Sequence, residues 1–473
     1  MRRILLANAP FYDLYGASRV AVSYYFPLGI GYIASLLEKH GYAVELLTES
    51  KTIDVFKAVR QKLTDGQYLL VGISSMTTSF PGAVRLARCA KEVAPGTPVV
   101  VGGPHVTGMA DSALQEQPEL DFLGIGEGEL TVLQLAQALE AGRTDFADVQ
   151  GLVWRSADGQ VVANPLRPFH TNLDELGHPA RHLVDFSEFS IHSHVYAGKG
   201  RGASVVTSRG CPFGCIFCSA HLTHGRRMRY HSLDFVMKEL HLLRDRYGVK
   251  YVWFQDDTLT VNRRRVMELC ERIQNAQLDM NFGCFSRVDV FDDEMARVLS
   301  AAGFRMVTFG IESGVPEILK KIGKSADLDQ ARQAIDNCRK HRIRAIASFV
   351  VGFPFESPED LRKTFRFGRG LDASILMFNP LVPFPGSKVF DPVAHKPKTV
   401  DGWARFLTTE APPFDMIPGI PARKLKALVE REHVKYYMHP RRIVRSLREM
   451  SSPAEVWQSA RAFLGVLSRA LRQ

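Results

Sequence analysis

Residues 208–218 read Ser208-Arg209-Gly210-Cys211-Pro212-Phe213-Gly214-Cys215-Ile216-Phe217-Cys218. Three of the chain's seven cysteines stand here at C-x-x-x-C-x-x-C spacing, at the end of a strand candidate over residues 203–208. Short spacings on a loop let thiolates converge on one inorganic centre, and iron–sulfur clusters are commonly held this way. Pro212 and Gly214 argue against the loop being a packed helix or strand. Three thiolates on a four-iron cube leave one iron open, which suits a reactive cluster better than a pure electron carrier. Two other readings compete. One is a structural zinc with His221 or His224 as fourth ligand, and the other is plain core thiols.

Downstream of this loop the chain alternates strands and helices. Further strand candidates are 251–255, 281–286, 306–311, 345–352 and 374–380. Six βα units are too few to close an eight-fold barrel, so they predict an open, partial one over 201–395. Upstream, residues 1–150 show the same alternation, which predicts a parallel, doubly wound, Rossmann-like sheet. Residues 98–105 are included there as a strand. Its strand ends carry Ser74-Ser75-Met76, Gly102-Gly103-Pro104-His105 and Gly126-Glu127-Gly128-Glu129, where a bulky ligand needs close backbone approach. Residues 151–200 predict a small hairpin around Asp158-Gly159 and then a connector. Residues 396–473 predict a helical, basic region. The fold class is therefore α/β, with two sheet domains and a helical C-terminal region.

Composition narrows the class. With 45% apolar and 23% charged residues the chain is globular rather than disordered or collagen-like. Seven cysteines in 473 residues exclude a disulfide scaffold. No apolar run approaches the ~18 residues of a membrane span, and MRRILLANAPF predicts a first strand rather than a signal peptide. A cytoplasmic, reducing setting is expected. Between Ile420 and Gln473 there are 12 Lys/Arg against 4 Asp/Glu, so most of the formal +10 sits in the tail. A nearly neutral body makes nucleic acid an unsuitable partner. Residues 453–472 form an amphipathic pattern with Trp457, Phe463 and Leu467, which fits packing on the protein itself and, secondarily, peripheral membrane contact.

The cysteine motif, Phe217 before its last thiol, and the ordered strand-end motifs resemble the radical S-adenosylmethionine superfamily. Those motifs are Gln255-Asp256-Asp257, Ser286-Arg287-Val288-Asp289, Phe309 to Gly314, Val351 to Pro354 and Asn379 to Gly386. The whole of 1–390 resembles the subgroup with an N-terminal cobalamin-binding domain. Ser74-Ser75-Met76 followed after 25 residues by Gly102-Gly103 matches that subgroup. The usual Asp-x-His-x-x-Gly signature is absent, and no G-x-G-x-x-G follows the first strand.

The resemblance implies three cofactors: a 4Fe-4S cluster on Cys211, Cys215 and Cys218, S-adenosylmethionine, and cobalamin. It implies Phe217, Asp256, Arg287, Glu312, Ser313 and Gly352 as S-adenosylmethionine contacts. It implies Ser74, Ser75, Gly102, Gly103, His105, Gly126 and Glu127 as cobalamin contacts. The expected function is methylation of an unactivated carbon of a small-molecule, lipid or pigment substrate, through a 5′-deoxyadenosyl radical and methylcobalamin. The alternatives are a cyclisation, oxidation or rearrangement on the same scaffold and, remotely, a non-catalytic zinc or iron–sulfur protein. An external electron donor of flavodoxin or ferredoxin type is also implied. No motif identifies a dedicated acid, base or hydrogen donor.

Overall fold

The computed structural model describes residues 2–11, 14, 25–50, 52–189, 200–325 and 327–449. The amphipathic pattern at 453–472 lies outside them.

The first sheet contains β1 (Arg3–Asn8), β2 (Ala43–Leu47), β3 (Leu70–Ser74), β4 (Val99–Gly102), β5 (Phe122–Gly124), β6 (Leu152–Arg155) and β7 (Val161–Ala163). Its spatial order is β2-β1-β3-β4-β5-β6-β7. The first five strands are parallel, as strand–helix alternation requires, and the β6–β7 hairpin adds antiparallel to β5. The sheet therefore runs past residue 150 into the stretch expected to be connector. Its central strands β1, β3, β4 and β5 are buried on both faces, which is why they read as unbroken apolar runs such as Ile4-Leu5-Leu6. Chain order reverses between β1 and β3, and the crevice beyond their carboxyl ends is the expected ligand position.

β4 stops at Gly102, earlier than expected. Gly103 has φ +110°, where an added Cβ would lie 2.2 Å from the Ser75 carbonyl oxygen. That turn starts the helix Pro104–Gly108, so Pro104 and His105 are helical.

The second sheet comprises β8 (Arg201–Val205), β11 (Val249–Phe254), β12 (Asn281–Ser286), β13 (Phe304–Glu312), β14 (Arg344–Val351) and β15 (Ile375–Pro380). These six parallel strands follow in that order and leave both edges open, as expected of a partial barrel. Between β8 and β11 lie two short strands, β9 (Ser208–Arg209) and β10 (Arg229–Tyr230), which pair antiparallel and bracket the cysteine loop.

The β15 edge is covered by the helix Ala422–Tyr437 through side chains. Tyr437 Oη accepts from Leu376 N at 3.1 Å and donates to Leu376 O at 3.0 Å, and Phe378 N donates to His433 Nε2 at 2.9 Å. An exposed row of backbone donors and acceptors is thereby satisfied. Residues 170–189 are pinned beneath the barrel by Arg181, which pairs with the fully buried Glu239 at 2.6 Å.

Candidate functional site

A cavity of about 330 Å³ lies where the two sheets face each other. Its floor is the switch-point crevice: Leu6 of β1, Gly72 and Ser74 of β3, Gly102 of β4 and Gly124 of β5. Its roof comes from the second sheet and the short strands: Val206, Arg209, His224, Gln255 and Asp257. A Cβ added at Gly29, Gly124 or Gly126 would meet nothing within 4 Å, so the missing side chains leave room for a large ligand. Ser74, Gly102, Gly103 and Gly126 thus line the cavity as the sequence suggests.

Three expected corrinoid contacts are placed differently. His105 points away from the cavity, because the Gly103 turn puts it on the back of its helix. It is 1% exposed, packed between Phe80 (ring centroids 4.1 Å) and Trp403 (4.6 Å), and burial pushes its pKa down to about 3. It lines a separate cavity of about 270 Å³. Ser75 is buried, and its N–H donates to Gly102 O at 2.9 Å, so it knits β3 to β4. Glu127 reaches the cavity wall, but its carboxylate is committed to Arg229 at 2.8 Å and Arg209 at 3.2 Å. Arg209 also binds Glu129 at 2.7 Å and lies 5.1 Å from the Tyr32 ring centre. This buried four-residue ion cluster ties the first sheet to the short strands around the cysteine loop. Composition gave no signal for it, although Arg209 stands two residues before Cys211.

The loop itself is held from both ends. Cys211 N donates to Gly225 O at 3.2 Å, and Ile216 N donates to Ile322 O at 3.1 Å. Gly323, at φ +75°, lets the chain pass so close that a Cβ would stand 2.9 Å from Gly214 O. Burial raises the thiol pKa values of Cys211 and Cys218, the latter to about 11. The charges of Asp257 and Cys215 push both further in that direction, which puts the three thiols and Asp257 in one electrostatic neighbourhood. Apolar-buried thiols with mutual repulsion favour ionisation only with a cation among them, which is what an iron–sulfide cube supplies. Among the described residues, no three His, Cys, Asp or Glu side chains surround a single-ion position.

The expected S-adenosylmethionine contacts divide. Alternation along the end of β11 turns Asp256 away from the cavity and Gln255 and Asp257 into it. Asp256 is fully buried and accepts from Thr207 N at 3.2 Å, Thr207 Oγ1 at 2.8 Å and Ser208 Oγ, so it locks β8 to β11 instead of meeting a ligand. Asp257, whose carboxyl pKa burial raises, is the acid that faces the cavity and the thiols. Ser313 is likewise enclosed: its Oγ hydrogen-bonds Thr364 Oγ1 at 3.1 Å and accepts Val315 N at 3.2 Å.

Arg287 is 4% exposed, pairs with Asp289 and sits 3.7 Å from the Phe213 ring centre, which fixes the outer arm of the loop. Glu312 holds φ +72° and pairs with Lys324 at 3.0 Å. A non-glycine residue in that region is strained and recurs at functional sites. Phe217 packs edge-on to Phe353 at 5.8 Å. Gly352, at φ +107°, donates its N–H to Glu356 at 2.6 Å. Burial lifts the Glu356 pKa to about 7.

A glycine-lined switch-point cavity facing a three-thiol loop at the mouth of an open half-barrel defines a class: a corrinoid-binding sheet joined to a radical S-adenosylmethionine barrel. Residues 205–368 match the radical SAM superfamily, and residues 17–136 match the B12 binding domain. An uncharacterized methyltransferase of Pyrococcus horikoshii is 32% identical over 427 residues, 89% of this chain and 90% of that one. The anaerobic magnesium-protoporphyrin IX monomethyl ester cyclase of Rubrivivax gelatinosus is 29% identical over 381 residues, 79% and 67% respectively. In fold, the chain is similar to the radical S-adenosylmethionine methyltransferase TsrM from Kitasatospora setae, solved with cobalamin and a [4Fe-4S] cluster. The TM-score is 0.68 at 21% identity, covering 82% of this chain and 74% of that one.

The chain belongs to the radical SAM superfamily, in the group that carries a B12 binding domain ahead of the barrel. It is an enzyme whose cofactors are a 4Fe-4S cluster, S-adenosylmethionine and cobalamin.

Proposed function

We propose that this enzyme methylates a carbon of a small-molecule substrate in the cavity between the two sheets. The observation that carries the reading is the shared wall. One cavity is floored by the glycines of β3, β4 and β5 and roofed by Asp257 and the residues around the cysteine loop. Bound there, the cluster with S-adenosylmethionine supplies a carbon-centred radical and the corrinoid supplies a methyl group.

The protein's residues position these groups and exclude water. Cys211, Cys215 and Cys218 would hold the cluster. Asp257 would accept from the ammonium of S-adenosylmethionine, and Phe217 and Gly352 would border its adenosyl part. Ser74, Gly102, Gly124 and Gly126 admit the corrinoid. The buried Arg209–Glu127–Arg229 pairs keep the two halves of the chamber in register.

Residues 1–163 form the corrinoid unit in this reading, and 201–395 the barrel. Free thiols and an oxygen-sensitive cluster fit a reducing, cytoplasmic setting. Among the described residues no helix is long and apolar enough to cross a membrane. The basic tail offers at most peripheral contact, and a soluble electron carrier reduces the cluster.

The test is anaerobic reconstitution with iron, sulfide and cobalamin, followed by incubation with methyl-labelled S-adenosylmethionine and reductant. Label should appear in the extracted corrinoid, and the product should gain one CH2. Similarity to the cyclase favours a second reading, oxidation or ring closure without methyl transfer. A product that loses hydrogen and gains no carbon selects it.

A further inference from the structure

Basic side chains on this protein are commonly matched by carboxylates: Arg60 by Glu92, Arg88 by Glu119, Arg272 by Asp234 and Glu268. Around the cysteine loop the pattern reverses. Arg226, Arg227, Lys320, Lys321 and Lys388 are exposed, and among the described residues none of them has a carboxylate within ion-pair distance.

Contacts place all five on the rim of the loop. Arg226 Nη1 donates to Phe213 O at 2.7 Å, and the Arg227 carbonyl abuts Gly210. Lys388 lies two residues beyond Gly386, which packs on Leu222, and its charge together with that of Arg226 depresses the His221 pKa that burial already lowers. Lys320 and Lys321 end the helix Pro316–Lys321, and the next residue, Ile322, accepts the Ile216 N–H. Lys321 Nζ stands 5.1 Å from the centre of the Phe355 ring, which is 36% exposed. Pro212 and Gly214 of the loop are themselves exposed. The acidic side chains at the edge are Glu317 and Asp360, and Asp360 is occupied in capping its own helix.

We propose that this rim docks a small acidic electron-carrier protein, with Phe355 as the apolar centre and Arg227, Lys320, Lys321 and Lys388 as the charged ring. The inference rests on the cysteine loop being the seat of the cluster. One electron leaves the carrier, which is oxidised by one equivalent, and enters the cluster, which is reduced by one. No bond forms or breaks. The residues flanking the loop, Ser208, Arg209, Thr223 and His224, line the cavity between the sheets, so the exposed loop is the short path from outside. An unpaired basic ring steers an acidic partner and disfavours a basic one.

The test uses the full-length, reconstituted holoenzyme without oxygen. Cluster bleaching is followed by stopped flow, with either reduced flavodoxin or dithionite as donor. The variants are Lys320→Glu with Lys321→Glu, and Arg227→Glu with Lys388→Glu. At low salt each pair is expected to slow flavodoxin-driven reduction by about tenfold or more. Dithionite-driven reduction and iron content should stay at wild-type levels, and the wild-type flavodoxin rate should fall steeply with salt. Flavodoxin rates that ignore both charge reversals, or ignore salt, overturn the docking surface. A wild-type protein that binds no cluster fails in a different way: it overturns the cluster reading, and the docking proposal with it.

Discussion

Arg229 and Glu127 face each other two-pronged across the boundary between the sheets, Nη1 to Oε2 and Nη2 to Oε1, each at 2.8 Å. Both side chains are under a tenth exposed, and Arg209 shares the same carboxylate. Glu127 therefore serves closure of the chamber more than ligand contact. The Arg229 and Arg209 charges, with the His224 hydrogen bond, hold its pKa below the usual carboxylate range against the opposing effect of burial.

Removing that carboxylate leaves two buried guanidiniums short of a partner. Glu127→Ala is expected to cost about 3–5 kcal/mol, seen as a lowered midpoint in thermal or urea unfolding. A midpoint within error of wild type would show that the pair is solvated and the cluster of charges incidental.

Cys215→Ala should abolish the iron–sulfur chromophore and with it S-adenosylmethionine cleavage, while far-UV circular dichroism stays native. Iron analysis decides the matter: full retention of cluster and cleavage contradicts the assignment of the three ligands.

The adjacent acids at the end of β11 should separate by phenotype. Asp256→Ala strands the Thr207 and Ser208 donors and should cost about 1–3 kcal/mol of stability. Asp257→Asn should unfold like wild type yet raise the dissociation constant for S-adenosylmethionine at least about tenfold, the loss of one charge-assisted hydrogen bond. Reversed phenotypes would restore Asp256 as the ligand contact.

Gly124 has open space where a side chain would go. Gly124→Leu should fill the corrinoid cavity with little change in stability, and weaken cobalamin binding at least about tenfold, a ~1.4 kcal/mol effect. Equilibrium titration of the apoprotein with hydroxocobalamin reads this directly, and unchanged affinity would move the corrinoid elsewhere.

Among the described residues, burial lowers His105 to about 3, and His231 and His433 to about 4, from an ordinary 6.5. Below pH 6.5 the unfolded chain binds protons that the native protein refuses. Stability should therefore fall with decreasing pH, by about 1.4 kcal/mol per unit per histidine, down to the folded values near 4. Unfolding midpoints across this window check the slope. His433→Gln should flatten it, since His433 accepts Phe378 N only while neutral.

Strand–helix alternation was legible because buried parallel strands leave unbroken apolar runs, and all six barrel strands lie where those runs fall. The cysteine loop was legible because three thiols at short spacing on a Pro- and Gly-bearing segment have few other uses. The β6–β7 hairpin was seen, but not its sheet, because pairing partners are chosen by packing between distant segments. The Asp256 and Asp257 choice was not legible, since a one-residue difference on a strand reverses which face a side chain takes.

The sequence by itself determined the local elements and the place of the cysteine loop, because backbone preference, burial period and thiol spacing act over a few residues. Tertiary structure alone decided that Asp257 and not Asp256 faces the chamber, that His105 turns its back on it, and that Glu127 closes it. Those outcomes depend on charges and glycines brought together from segments up to 102 residues apart, and no local pattern encodes such meetings.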